Sequence, residues 1–140
     1  MAAYLFDSSI YINAFRGNHE SLAVLQERQA TNPVWLSSVV LEELFAGAGR
    51  KGLNAVERLQ RDFEKARRVL VPALADWAET GKVLARLATK YGYEQIGRGR
   101  LTNDALIATS AGRVGITVIT ANAIDFARLS EFGLFTWSKL

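Results

Sequence analysis

The sequence predicts an α/β fold, a three-layer α/β/α domain around a mainly parallel central sheet. Short apolar runs (AAYLF, VWLS, RVLV, ITVI) are each followed by longer segments whose apolar residues recur at helical spacing. Several of these runs end directly in an acid, a serine or a threonine. Such residues cap helices and also line ligand sites at the carboxyl edge of parallel sheets. No internal repeat, linker or low-complexity tract interrupts the 140 residues, so one domain over residues 1–140 with a proper buried core is expected.

Composition removes several kinds of chemistry. The chain is 49% hydrophobic, yet no apolar run is long enough to span a membrane. No basic apolar leader precedes the first strand, and a cytoplasmic location is expected. There is no cysteine, which excludes disulfides, a cysteine nucleophile and thiolate zinc sites. The one histidine, His19, follows an Arg-Gly-Asn turn and reads as a surface or helix-start residue, so paired-imidazole chemistry is excluded as well.

Taken in order, the spacing predicts a buried strand over Ala2 to Phe6, ended by Asp7, and a helix over SSIYINAF. Asp7 suits an N-cap, and it also sets a carboxylate at the carboxyl end of a central strand. Gly17 and Asn18 break the pattern before a helix from Glu20 to Gln29, with Leu22, Val24 and Leu25 on its apolar side. After the Asn32-Pro33 turn, VWLS is a second strand, and Ser37 and Ser38 cap a helix running VVLEELFAGAG. Val40, Leu41, Leu44, Gly47 and Ala48 form the apolar stripe of that helix. Glu42 projects roughly 160° from the centre of the stripe into solvent, whereas Glu43 lies at its border and can face inward. Gly47, one turn beyond Glu43, leaves room for a close neighbour or a ligand.

Gly52 to Arg68 is amphipathic, with Leu53, Val56, Leu59 and Phe63 at helical spacing and solvated charges between them. Arg68 to Pro72 is a third strand cut off by proline. A long helix from Leu74 to Tyr91 follows, with Trp77, Val83, Leu84 and Leu87 as core contacts. Tyr93 to Arg100 is a glycine-rich basic loop that fits no dinucleotide or phosphate-loop fingerprint. Its Arg98 and Arg100 either reach a substrate phosphate or lie solvated. The next helix opens at Asp104, in one stripe with Ile107, Ala108, Ala111 and Gly115. Gly115 makes a tight turn into a strand from Ile116 to Ile119, then a polar turn, TANAID, ends in Asp125. FARLSEFG is a short helical turn and LFTWS a last strand.

An acid heading a core-facing stripe loses water and stays ionised only if something pairs with it. If the first and fourth strands lie side by side, Asp7 meets the turn from Thr120 to Asp125, and Glu43 and Asp104 enter from helices that start at the same edge. Two carboxylates about 4 Å apart repel by roughly 4 kcal/mol at an effective dielectric of 20. Four of them call for a cation, and all-oxygen ligands favour Mg²⁺ or Mn²⁺ over zinc. Such an ion supports phosphodiester hydrolysis without a histidine. Withdrawing four acids leaves 17 basic residues against 10 acidic ones, a surface suited to a polyanion such as nucleic acid.

Over nearly its full length the chain resembles the PIN-domain family, and within it the VapC-like toxin ribonucleases. The resemblance rests on FDSSIYINAF, SSVVLEELFAG, TNDALIATSA and VITANAIDF in that order. It implies a PIN fold and a Mg²⁺- or Mn²⁺-dependent endoribonuclease acting on RNA. By motif position Asp7, Glu43, Asp104 and Asp125 are the metal-binding acids, with Ser8, Thr120 and Asn122 in support. A cognate antitoxin and a homodimer are also implied. Ser8 replaces the threonine of many relatives and keeps its hydroxyl. Asn122 replaces a further acid of some, so one strong metal site and one weaker site are expected.

Two other readings fit less well. A phosphoryl-transfer domain such as a phosphatase would carry a second acid two residues after the first, where Ser9 stands, and the paired acids and late lysine of a receiver are missing. A non-catalytic PIN-like module binding RNA or protein has no physical reason to keep four mutually repelling carboxylates.

Overall fold

The computed structural model describes residues 2–96 and 101–140. Five strands, β1 (Tyr4–Phe6), β2 (Val34–Ser37), β3 (Val69–Leu70), β4 (Thr117–Thr120) and β5 (Trp137–Lys139), form one sheet in the order β3-β2-β1-β4-β5. Every neighbouring pair is parallel, with Leu5 opposite Trp35 on one side and Val118 on the other. Leu5 and Phe6 point to opposite faces and both are fully buried. A strand in the middle of a parallel sheet is covered on both faces, hence its uninterrupted apolar run.

The helices are α1 (Ser8–Phe15), α2 (His19–Thr31), α3 (Ser38–Lys65), α4 (Leu74–Tyr91), α5 (Tyr93–Ile96), α6 (Thr102–Arg113) and α7 (Ala123–Leu129). From β1 the chain steps to β2 and β3 in one direction, then returns past β1 to β4 and β5. Right-handed crossovers therefore place α1 to α3 on one face of the sheet and α4 to α7 on the other. The packing agrees: α1 lies on α2 and α3, while α4, α6 and α7 lie on one another. The three-layer parallel architecture expected from the sequence is thus the one observed. The direction of winding reverses between β1 and β4, so their carboxyl ends flank the switch point where ligands of open α/β sheets bind.

Most boundaries fall within a residue or two of the sequence expectation, and the departures have local causes. The two helices read between Ser38 and Arg68 are both present: α3 is two helical segments joined at a non-helical Gly49, where φ is +63° and ψ is −174°. Trp77 is not a core residue but is 55% exposed. The inward stripe of α4 begins one residue earlier, because Asp76 is buried in a two-pronged pair with Arg113 of α6, at 2.8 and 2.9 Å. That pairing turns Trp77 outward. Leu22 and Leu53 are also exposed, since Ser21 with Leu25, and Val56 with Phe63, occupy the buried stripes of their helices. Tyr93 to Ile96 is a short helix rather than loop. Asp125 sits inside α7 instead of ending a turn, and the last strand starts later than LFTWS suggests, at Trp137.

The main core is built on the sheet, and a second apolar cluster of Val83, Leu87, Ala105 and Leu129 joins α4, α6 and α7. His19 is exposed at the start of α2, as read. No helix among the described residues is long and apolar enough to cross a membrane.

Candidate active site

Asp7 is the anchor. It follows β1, caps α1, and is 3% exposed. Its Oδ1 accepts from the Ser9 backbone N–H at 3.0 Å and from the Ser9 hydroxyl, and its Oδ2 accepts from the hydroxyl of Thr120 at 2.6 Å. Thr120 closes β4 and is fully buried; its Oγ1 accepts in turn from Asn122 N–H at 2.8 Å. Ala121 N–H donates to Ser9 Oγ at 3.1 Å. The ends of β1 and β4 are thereby stitched together through hydroxyls, and the Asp7 carboxylate has little freedom to turn. Burial raises its pKa above the ordinary value, and the donors from Ser9 and Thr120 oppose that rise without cancelling it.

Glu43 and Asp104 approach from opposite faces of the sheet. Glu42 is exposed and Glu43 half-buried, as the helical geometry required. Glu43 Oε1 is buried with no hydrogen-bond partner. Burial raises the Glu43 pKa, with the charges of Asp7 and Glu42 adding to it, while Ser8 and Asn103 beside the carboxylate pull the other way. Asp104, in the first turn of α6, is pushed up to about 7 by burial and by the charges of Asp7, Glu43 and Asp125. Asp125, in the first turn of α7, accepts from Asn122 Nδ2 at 2.8 Å.

The fold therefore brings all four predicted acids to one sheet edge, close enough that three of them raise the fourth. Thr120 supports Asp7 directly, Asn122 supports Asp125, and Ser8 lies by Glu43 rather than by Asp7. Arg98 and Arg100 lie outside the described residues. Among the described residues, no three histidine, cysteine, aspartate or glutamate side chains form a group that could hold an ion, and Asp7 and Asp125 accept from hydroxyl and amide donors. The residues nevertheless suit a hard divalent cation. Their donors are all oxygen, and Glu43 presents a buried carboxylate oxygen that nothing else satisfies.

Two residues of this edge are not evident from the sequence. Ser9 holds both Asp7 and the backbone of the β4 turn, and its only signal is a hydroxyl two residues after the cap. Asn103 donates to Glu42 Oε2 at 3.1 Å and lies beside Glu43; its signal is its place next to Asp104.

Carboxylates are thus gathered at the β1/β4 switch point of a three-layer parallel domain. The PIN-domain family model matches residues 4–131, and the chain belongs to that family, whose members are generally nucleases. No curated protein matches the chain. Its fold is similar to that of a chain in DNA-bound VapBC from Salmonella typhimurium, with a TM-score of 0.72 and 23% identity over 99% of this chain and 98% of that one. It is also similar to a chain of VapBC-1 from nontypeable Haemophilus influenzae (0.67, 24% identity, 98% and 97% covered) and to one of FitAcB from Neisseria gonorrhoeae (0.68, 22% identity, 96% and 95% covered).

Proposed function

We propose that the protein is a metal-dependent endoribonuclease that hydrolyses RNA phosphodiester bonds and is the toxin of a VapBC-type pair. The observation that carries this reading is the meeting of Asp7, Glu43, Asp104 and Asp125, with Asp104 pushed up to about 7 by burial and by the charges of the others. That mutual repulsion is relieved by a divalent cation, and Mg²⁺ or Mn²⁺ bound there would acidify water and offset the charge of the phosphate. Asp7, Glu43, Asp104 and Asp125 are the groups to hold it. Thr120 and Ser9 fix the Asp7 oxygens so that little reorganisation is needed when charge develops at the phosphate. Asn122 does the same for Asp125. Ser8 and Asn103 orient the carboxylate of Glu43. An excess of surface cations draws the polyanionic substrate in.

The likeness of the four motifs and of the fold to VapBC and FitAB proteins supports the toxin role and a cognate antitoxin as partner, and a homodimer and a cytoplasmic location belong to the same reading. Coexpression with the neighbouring reading frame, followed by copurification, tests the antitoxin. The activity is tested by incubating purified protein with total RNA and Mg²⁺ or Mn²⁺, beside EDTA, Asp7→Asn and Asp104→Asn controls. Discrete fragments lost in all three controls are expected. Equal cleavage by well-folded variants would remove these acids from the reaction.

A further inference from the structure

We propose that the groove between α1 and α3 is a subsite for single-stranded RNA, where a base stacks on Phe15 and the flanking phosphates meet Arg16 and Lys51; this rests on the nuclease reading above. The groove has a volume of about 470 Å³ and includes Glu43 in its lining. Glu43, Gly47 and Lys51 of α3 line one wall, Glu43 and Gly47 one turn apart before the break at Gly49 and Lys51 just beyond it, so the groove begins at the acids and leads away from them. Phe15 and Arg16, at the end of α1, form the facing wall.

Phe15 is an aromatic placed for use from outside. It is 51% exposed, and its ring lies beside that of Tyr11 with centroids 6.4 Å apart and planes tilted by 40°, while Tyr11 is buried edge-on against Phe6 at 6.1 Å. An exposed ring flanked by a buried neighbour is a platform on which any base can stack. Arg16 and Lys51 are exposed cations on opposite walls, and Glu43, at the reaction end, is the acid in the lining. A polyanion entering the acid site thus finds positive charge further along. Gly47 keeps the floor low: a Cβ built there meets nothing within 4 Å. Bases paired within a duplex cannot offer a face to such a platform, which makes the occupant a single strand.

The test is fluorescence anisotropy of a labelled single-stranded RNA dodecamer with full-length Asp104→Asn protein in Ca²⁺, joined to KM and kcat measurements on variants with intact acids. Phe15→Ala is expected to weaken binding about tenfold and Phe15→Trp to restore it. Lys51→Ala is expected to reduce the slope of log affinity against log salt by about 0.7. Gly47→Leu should weaken RNA binding by a factor similar to Phe15→Ala while melting no lower than the parent, because a helical site with open space accepts the side chain. In the variants with intact acids, KM rises and kcat changes little. If cleavage occurs but Phe15→Ala and Gly47→Leu leave RNA affinity and KM unchanged, the subsite is overturned and the groove goes to a protein partner. If the protein with intact acids neither binds nor cuts RNA, the nuclease reading fails and takes the subsite with it.

Discussion

Burial, together with the charges of Asp7, Glu43 and Asp125, raises the Asp104 carboxyl, and this sets a pH dependence. Its folded pKa of about 7 lies above the ordinary value of 3.8, so between these pH values the native state binds more protons than the unfolded chain. Stability from this group falls as pH rises through that window, and the raised values of Asp7 and Glu43 act in the same direction. Asp76 behaves oppositely. Burial pushes it up, but hydrogen bonds from Arg113 and Ala73 N–H and the Arg113 charge outweigh burial, so its contribution is lost only as pH falls below the ordinary carboxylate range. In EDTA, the melting temperature is therefore expected to drop between about pH 5 and about pH 7.5. Asp104→Asn should flatten that slope and melt higher at the upper end; an unchanged slope in the variant would contradict the coupling. Ser9→Ala, which removes a donor to Asp7 and strands Ala121 N–H, should cost about 1 to 2 kcal/mol in urea unfolding. Ser9→Thr should recover most of that loss. Asp7, Glu43 and Asp104 were legible because they end a strand, border a helical stripe and open one, whereas Asp125 was read only as the end of a polar turn. The hydroxyl stitching was not legible, since Ser9 and Ala121 meet only after β1 and β4 pair.

At the level of elements, α3 carries Glu43 to the site and is bent six residues later. Gly49 has φ +63° and ψ −174°, a conformation essentially reserved for glycine, and no side-chain clash would accompany a substitution there. Gly49→Ala is thus expected to destabilise by about 1 to 3 kcal/mol through backbone strain alone. Gly47→Ala, two residues away in helical backbone with equally open space, should stabilise by about 0.5 to 1 kcal/mol. Urea midpoints of the pair separate strain from space, and equal shifts would mean that the bend is not fixed at Gly49. Periodicity located every long helix and separated the two segments of α3, because the apolar stripe is interrupted where Gly49 leaves helical backbone. It misplaced Trp77 for a tertiary reason. An aspartate at the helix start reads as solvated until Arg113, from another helix, pairs with it.

Across the whole molecule, the acids tie together both layers of helices. Asp7 follows the central strand, Glu43 comes from the α1–α3 layer, and Asp104 and Asp125 come from the opposite layer. A ligand held by all four binds only the folded chain, since the unfolded chain scatters them, and its free energy of binding becomes stability. Mn²⁺ at about a hundred times its dissociation constant is expected to stabilise the protein by about 2.7 kcal/mol, seen as a rise in melting temperature. Because Asp104 is partly protonated near neutrality, binding also displaces protons. Calorimetric titrations at pH 7 in two buffers of different ionisation enthalpy should then give different apparent heats, and the difference should shrink in Asp104→Asn. Stabilisation without proton release would mean that the ion binds elsewhere on the surface. Proton release lost together with stabilisation in Asp7→Asn, Glu43→Gln and Asp104→Asn alike would show that one ion senses strands and helices from both sides of the sheet, as the switch-point geometry requires.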